Sequence, residues 1–139
     1  MHKDQHNFSV KKIQIPSFED DRGILNLIET SSILPFSVER IFFIHHTKKN
    51  RGGHAHIHSD QFLVMIQGTC EVDIYNGIES NTFLLNKANE GLLIPRLHYL
   101  ELKNFSTDAI LLVLANTKYK KEDIMQSLTQ YKSYLLKLK

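Results

Sequence analysis

Three histidines on alternate positions are the residues of this sequence best suited to chemistry. His54, His56 and His58 occur in the stretch RGGHAHIHSDQFLVMIQG, which spans residues 51–68. In an extended strand, alternate side chains point to the same face and lie roughly 6.5–7 Å apart. Imidazole is both a metal ligand and an acid–base group that titrates near neutral pH. The row therefore predicts either a metal site or a pair of proton-transfer groups.

Short strands separated by turns must position this row. Ten segments within residues 9–116 have the length and composition of strands. They are SVKKIQI, ILNLIET, VERIFFIHH, GHAHIH, QFLVMIQG, TCEVDIY, NTFLLN, GLLIP, HYLELKN and AILLVLAN. Turn signals such as the DDRG stretch at 20–23 separate them. The pattern predicts an antiparallel sandwich or barrel.

The C-terminal segment changes from strand period to helix period. Ile124, Leu128, Tyr131, Leu135 and Leu138 recur at helical spacing in YKKEDIMQSLTQYKSYLLKLK. Lysines concentrate near its end, where they complement the negative end of a helix dipole. We expect a helix packed on the outside of the strands. A partner-binding or membrane-surface helix is the alternative.

Composition limits the class of protein. The chain has 139 residues, 42% hydrophobic and 23% charged, which fits one domain over residues 1–139. A net charge of +2, much of it in the C-terminal tail, argues against nucleic-acid binding. The single cysteine, Cys70, excludes an internal disulfide, and no stretch has the pattern of a signal peptide or a membrane span. We therefore expect a soluble cytoplasmic protein that binds neither nucleic acid nor membranes.

The spacing around the histidines resembles the first motif of the cupin barrel. Gln61 follows His56 after four intervening residues, and Gly68 follows Gln61 after six. Glutamine stands where metal-binding cupins have glutamate, and an amide offers a cation only a neutral carbonyl oxygen. The metal cage that remains possible would consist of His54, His56, Gln61 and His98. Metal-free proton transfer fits the two histidines better.

Motifs along nearly the whole chain carry a closer resemblance. In order, they are DDRGILNLIE, LPFSVERIFFI, RGGHAH-x4-Q-x6-G, GLLIP and FSTDAILLVLAN-x2-Y-x3-D. Over roughly residues 8–134 the chain resembles the dTDP-4-keto-6-deoxy-D-glucose 3,4-ketoisomerases. The resemblance implies an all-β fold, a small cupin or jelly-roll barrel of antiparallel strands with a C-terminal helix. It also implies no metal or other cofactor, and a homodimer with exchanged strands.

The activity implied by this resemblance moves a keto group from C4 to C3 of a dTDP-linked 4-keto-6-deoxyhexose, in the biosynthesis of 3-amino-3,6-dideoxy sugars. The route is an enediol: a proton leaves C3 and a proton returns to C4. His54 is predicted to take the C3 proton and His56 to serve C4. Negative charge on the C4 oxygen needs a donor, which a protonated imidazole or a nearby hydroxyl would supply.

Basic and polar residues near the motifs are predicted to bind the substrate. Arginine suits the two phosphates of the nucleotide because its guanidinium binds phosphate in a bidentate manner. The candidates are Arg22, Gly23, Arg51, Gln61, Arg96 and His98. Arg40 and Arg96 fit equally well as solvated surface charges, and His58 as an exposed residue outside the chemistry.

Two other functions fit parts of the pattern. A nucleotide-sugar 3,5-epimerase would share the barrel and a histidine base, but typically has a longer chain and a His–Asp pair. A metal-binding or sugar-sensing cupin without catalysis would use the histidines as ligands. Proton exchange into the sugar, with and without a chelator, separates the three hypotheses.

Overall fold

We describe residues 9–139 from a computed structural model of the chain. Twelve strands lie within this range. They are β1 (Lys11–Gln14), β2 (Ser17–Asp20), β3 (Gly23–Asn26), β4 (Arg40–His45), β5 (Arg51–His56), β6 (Gln61–Gln67), β7 (Cys70–Tyr75), β8 (Ser80–Leu85), β9 (Glu90–Ile94), β10 (Tyr99–Lys103), β11 (Ile110–Ala115) and β12 (Ile124–Met125). A 3₁₀ turn at Lys121–Asp123 precedes β12, and the helix α1 (Leu128–Lys137) follows it.

All ten predicted segments form strands, and the all-β fold class is confirmed. One five-stranded sheet has the order β1-β9-β6-β11-β4, and a second has the order β12-β5-β10-β7-β8. The pairings between neighbouring strands in both sheets are antiparallel. The strands of residues 9–139 do not join the two sheets by hydrogen bonds into a closed ring, so the architecture is an open, cupin-like barrel.

The main core lies between these two sheets. Alternate residues from both contribute to it, among them Leu63 and Met65 of β6 and Val72 and Ile74 of β7. β6 is buried on its other face too, because apolar residues of the segment 28–38 cover the outside of the first sheet. A strand buried on both faces needs a continuous apolar run, which explains the FLVMI stretch.

The predicted C-terminal helix is present but shorter than its sequence pattern. It begins after Ser127, whose hydroxyl accepts a hydrogen bond from the Gln130 backbone N–H. The buried Tyr131 and Leu135 pack it against the outside of the second sheet, as expected. Within the described range, no helix has the length and apolar character needed to cross a membrane.

The helical prediction is wrong for Ile124. Ile124 and Met125 form β12, which pairs with His56 and Ala55 at the edge of the second sheet. Hydrogen bonding to an open sheet edge here prevails over a side-chain spacing that fits a helix. As a result, a strand that the sequence analysis missed lies directly beside the histidine strand.

β2 and β3 form a hairpin separate from both sheets. All four β2 residues are exposed, and SFED lacks an apolar alternation, so no strand was predicted there. The hairpin nevertheless carries apolar side chains in solvent: Phe18 is 59% exposed, Ile24 64% and Leu25 60%. An exposed apolar hairpin of this kind is typical of a segment that meets another surface.

Candidate active site

A cavity of about 360 Å³ contains the predicted histidine pair. β4, β5, β6 and β10 contribute most of its wall, and residues after β11 and in β12 add to it. The wall consists of Arg40, Phe42, Ile44, Arg51, Gly52, His54, His56, Gln61, Leu63, Leu100, Leu102, Val113, Tyr119 and Ile124. Polar groups therefore converge on a largely apolar cavity, which is the usual composition of a small-molecule site.

β5 directs His54 and His56 into this cavity, because alternate side chains of a strand share a face. Their ring centroids lie 5.1 Å apart, with the ring planes at 75°. His56 is buried and His54 is half-buried. Two imidazoles at this separation can contact neighbouring atoms of one small molecule.

The third histidine of the row does not reach the cavity. β5 ends at His56, and His58 is exposed, with its backbone N–H donating to Asp123 Oδ1 at 2.5 Å. The expectation that all three histidines share a face is therefore wrong for His58, whereas its exposure agrees with the prediction. His45 and His46, at the end of β4, also lie outside the cavity.

Gly52 allows β5 to approach β10 beside the histidines. Its φ is +90°, and a Cβ at this position would lie 2.9 Å from the carbonyl oxygen of Leu100. Leu100 is also the partner of His54 in the β5–β10 register, which shifts at this point. Glycine meets both the positive φ and the close approach, so it sets the position of His54.

Burial holds both imidazoles in the neutral state near pH 7. It lowers the pKa of His56 to about 4, with the neighbouring His54 acting in the same direction and Asp123 opposing it. Burial also lowers the pKa of His54, and the positive charge of Arg51 adds to the effect. Within residues 9–139, the buried Nδ1 of His54 has no hydrogen-bond partner. Neutral imidazoles accept protons, so the pair is suited to act as bases.

Asp123 holds β12 against the histidine strand. Its buried carboxylate accepts hydrogen bonds from the Ser59 hydroxyl and the His58 backbone N–H, both at 2.5 Å. The next residue, Ile124, pairs with His56. No role was predicted for Asp123, although it closes the Y-x3-D motif. The motif therefore marked this residue, but the strand β12 that follows it could not be predicted from the motif.

Two of the predicted substrate-binding residues line the cavity with the histidines. Arg51 begins β5 and is exposed, so it lies where the cavity meets solvent. Gln61 begins β6 and is buried between Ile94 of β9 and Ala115 of β11. Arg51 can thus reach a charged group of a ligand at the opening, and Gln61 can reach the part of the ligand that lies inside the cavity.

Arg96 and His98 do not line the cavity. Arg96 forms a salt bridge with Asp60 at 3.1 Å, and its backbone N–H donates to the same carboxylate at 2.8 Å. His98 is buried, and its Nδ1 lies 3.0 Å from the Pro95 carbonyl oxygen. The structure therefore does not bring His98 to the other three residues of the possible metal cage. Among the described residues, no group of three or more His, Cys, Asp or Glu side chains could hold a metal ion.

Arg22 and Gly23 also lie away from the cavity of their own chain, at the tip of the β2–β3 hairpin. The Arg22 guanidinium donates to both carboxylate oxygens of Asp20. Gly23 has a φ of +132°, which the turn requires. The predicted turn is present, but within one chain it does not meet the histidines.

Three further cavity residues were not predicted as site residues: Arg40, Phe42 and Tyr119. Arg40 and Phe42 share the inward face of β4, while Ile41 and Phe43 point outward and are exposed. Strand alternation could have placed Arg40 and Phe42 on one face, but it could not have selected the face. Tyr119 follows β11 and meets them only through the tertiary fold.

A barrel of this type with a histidine pair in its cavity defines a cupin-like protein, as predicted. Residues 8–136 match the family model described as FdtA: WxcM-like, C-terminal, and the chain belongs to this family. A curated relative is the TDP-4-oxo-6-deoxy-alpha-D-glucose-3,4-oxoisomerase of Aneurinibacillus thermoaerophilus. It is 32% identical over 130 residues, which are 92% of this chain and 94% of the relative.

Solved structures agree with this family. A 3,4-ketoisomerase from Helicobacter canadensis has 32% identity and a TM-score of 0.89, over 92% of this chain and 98% of the other. A mutant of the 3,4-ketoisomerase QdtA from Thermoanaerobacterium thermosaccharolyticum, in complex with TDP-4-keto-6-deoxyglucose, has 27% identity and a TM-score of 0.90, over 94% and 96%. NovW, a 4-keto-6-deoxy sugar epimerase from Streptomyces spheroides, has 13% identity, a TM-score of 0.73 and coverage of 86% and 69%, so it shares the fold alone. The resemblance found in the sequence is thereby confirmed.

Proposed function

We propose that the protein is a sugar 3,4-ketoisomerase that converts dTDP-4-keto-6-deoxy-D-glucose to the 3-keto-6-deoxyhexose. The observation that carries this proposal is the pair of neutral imidazoles, 5.1 Å apart, in the cavity of a chain of this family. Relatives named for the same reaction at 32% identity support it. The isomerisation needs two proton transfers at adjacent carbons, and two bases on one cavity wall match that need.

His54 takes the proton from C3 in this mechanism. The electron pair of the broken C3–H bond forms the C3–C4 double bond, and the C4 carbonyl oxygen becomes an enediolate oxygen. The enediolate oxygen takes the proton that His54 removed from C3 and becomes the C4 hydroxyl, which returns His54 to the neutral state. In the return half, the C3 hydroxyl loses its proton as the C3 carbonyl forms, and the electron pair of the C3–C4 double bond takes a proton at C4. We assign this second exchange to His56. Its pKa of about 4 makes any proton it picks up strongly acidic and quick to leave.

Arg51 and Gln61 are proposed to bind the two ends of the substrate. Arg51 lies where the cavity opens, and no ion pair joins it to another described residue, so its guanidinium is available to the nucleotide diphosphate. The buried amide of Gln61 faces the enclosed part of the cavity, where the sugar would lie. Arg96 and His98 are less suited to these roles because they lie outside this cavity.

A homodimer with exchanged strands is part of the proposal, as is a cytoplasmic location. The exposed apolar residues Phe18, Ile24 and Leu25 of the β2–β3 hairpin support an exchange, since burying them would remove apolar surface from water. Ile41 and Phe43, exposed on the outer face of β4, offer a matching surface. In such a dimer, Arg22 and Gly23 would meet the second copy rather than their own cavity.

Sedimentation equilibrium tests the dimer. The full chain should sediment as a dimer, and a Phe18→Ser, Leu25→Ser variant should shift toward a monomer. Lys132→Ser, Lys137→Ser serves as the control, because it changes two exposed lysines of α1, which packs against the second sheet. A monomeric wild-type protein would contradict the exchange.

Deuterium incorporation tests the reaction. The protein is incubated with dTDP-4-keto-6-deoxyglucose in heavy water and the product is examined by NMR. We expect a 3-keto product with deuterium at C4, at the same rate with and without EDTA. His54→Asn and His56→Asn should each abolish turnover while TDP binding persists, and His58→Asn, outside the cavity, should not change either.

The other outcomes distinguish the alternatives. Deuterium at C3 and C5 with the keto group still at C4 would indicate a 3,5-epimerase. Turnover that is lost with EDTA and restored by a divalent metal would indicate a metal-dependent cupin. Absence of exchange at every carbon would remove the isomerase proposal.

A further inference from the structure

The guanidinium of Arg40 lies against two aromatic rings in the wall of the histidine cavity. Its Cζ is 5.7 Å from the ring centroid of Phe42 and 5.9 Å from that of Tyr119. Both distances are within the range of cation–π attraction. Arg40 is half-buried at the start of β4, and Tyr119 reaches it from the segment after β11. The two rings therefore favour a guanidinium position in the cavity wall, although Tyr119 is itself 67% exposed.

The charge of Arg40 has no carboxylate partner among the described residues, unlike those of Arg22 and Arg96, which bind Asp20 and Asp60. Within residues 9–139, no Asp or Glu lines the cavity. A half-buried guanidinium without an anion loses hydration that nothing in the wall replaces. Its N–H donors are consequently available to an anionic group that forms or binds inside the cavity.

The proposed reaction produces such an anion. When the C3 proton leaves, negative charge develops on the C4 oxygen, and it needs a positively charged or donating group at that point. His54 and His56 are neutral near pH 7 because burial lowers both pKa values, so neither begins the reaction as a cation. Arg40 and Arg51 line the same cavity as the two histidines, and their positive charges act on His56 and His54 respectively.

We propose that Arg40 is the catalytic group that stabilises the enediolate oxygen, and that Phe42 and Tyr119 are positioning residues that hold its guanidinium beside His56. This inference rests on the proposed ketoisomerase function. Arg51, exposed at the opening, remains the residue assigned to the diphosphate. In this assignment the half-buried Arg40 stabilises the short-lived enediolate, and the exposed Arg51 binds the permanent charge of the diphosphate.

Arg40→Gln tests the assignment, with Lys118→Gln as a matched control that removes a positive charge from an exposed residue next to Tyr119. We expect Arg40→Gln to lower kcat by about 100-fold or more, the usual effect of removing one oxyanion donor. The Kd for TDP, which has the diphosphate but no keto sugar, should change by less than about twofold. Lys118→Gln should retain wild-type values of both.

A second readout separates a catalytic role from a structural one. The groups that act on the charge of His56 are His54, Asp123 and Arg40. Loss of the Arg40 cation should raise the pKa of His56, so the acidic limb of the pH–rate profile should move to higher pH. Added guanidinium ion should also restore part of the activity of Arg40→Ala. Should Arg40→Gln fail to fold, Arg40→Met, which removes the charge and keeps a long side chain against the two rings, gives the same comparison of kcat with TDP binding.

Two variants of Tyr119 test whether its ring or its hydroxyl positions Arg40. Tyr119→Phe keeps the ring face and should retain most of kcat, whereas Tyr119→Ala should approach the Arg40→Gln value. Wild-type kcat in Arg40→Gln, or a large loss of TDP affinity with kcat preserved, would overturn the assignment. Both results require an active wild-type protein, so they are distinct from a failure of the proposed function itself, which would leave the wild type without isomerisation.

Discussion

Alanine at Gly52 and alanine at Gly53 should have clearly different effects, although both residues have positive φ. Gly52 has a φ of +90° and Gly53 a φ of +74°. A side chain in this region costs about 1–2 kcal/mol, and both variants incur that penalty. At Gly53 the added Cβ would meet nothing nearer than the Tyr99 hydroxyl at 3.6 Å, which is an ordinary contact.

At Gly52 the Cβ would lie 2.9 Å from the Leu100 carbonyl oxygen and 3.1 Å from the Glu101 Cα, both backbone atoms. Backbone cannot rotate away as a side chain can, so β5 and β10 must separate by a few tenths of an ångström. Forcing extra atoms into packed structure costs about 1–3 kcal/mol. Gly52→Ala should therefore destabilise the fold by about 2–5 kcal/mol, and Gly53→Ala by about 1–2 kcal/mol.

Equilibrium urea denaturation of both variants measures this difference directly. Because His54 pairs with Leu100 across the strained contact, kcat of Gly52→Ala should also fall, measured at a temperature where the variant is fully folded. Gly53→Ala should retain activity closer to wild type. If the two variants had the same free energy of unfolding, the close approach of β5 and β10 would not be what requires glycine at position 52.

Three further predictions concern the residues around His56 and the helix. The pKa of His56 is lowered to about 4, so between pH 6.5 and 4 the unfolded chain binds more protons and stability falls as pH falls. His56 alone should contribute about 3 kcal/mol of this loss, and the loss should be smaller by about that amount in His56→Asn, where the lowered pKa values of His54 and His98 still act, as urea midpoints at pH 7.5 and 4.5 would show. Asp123→Asn should lower the free energy of unfolding by about 1–3 kcal/mol, because an amide cannot accept from both Ser59 and His58 as the carboxylate does; an unchanged thermal midpoint would contradict this. Ser127→Ala should lower it by about 1 kcal/mol through loss of the helix cap with kcat unchanged, and an equal loss in the exposed Ser133→Ala would exclude capping as the cause.

Local pattern was sufficient for the strands and for the histidine pair. Strand period and turn residues depend on neighbours a few positions away, so the ten segments and the shared face of His54 and His56 followed from the sequence. The same pattern failed at the end of the row. Where a strand stops depends on its partners, and after His56 the backbone N–H groups of Ile57 and His58 both donate to Asp123, which belongs to the 3₁₀ turn and not to a strand.

The missed elements share a different cause. β12 consists of two residues whose spacing also fits a helix, and only the free edge of β5 decides between the two structures. β2 has no buried residue, so its sequence shows no apolar alternation, and its pairing with β3 alone defines it. Both strands are specified by a partner and not by their own composition, which is information that a single stretch of sequence does not contain.

The arginines show the same limit for the site. The chain has four, and the motifs favoured Arg22, Arg51 and Arg96 because those three lie next to conspicuous turns. The fold gives Arg22 and Arg96 aspartate partners within their own chain, at Asp20 and Asp60. Arg40 has aromatic neighbours and, in the part of the chain that the structure describes, no acidic partner, and it lines the cavity where negative charge would form. An arginine already bound to a carboxylate must give up that partner before it can serve a ligand, whereas an unpaired one binds without that loss. The partner of a charge, which depends on residues distant in sequence, thus decides which arginine can take part in the reaction.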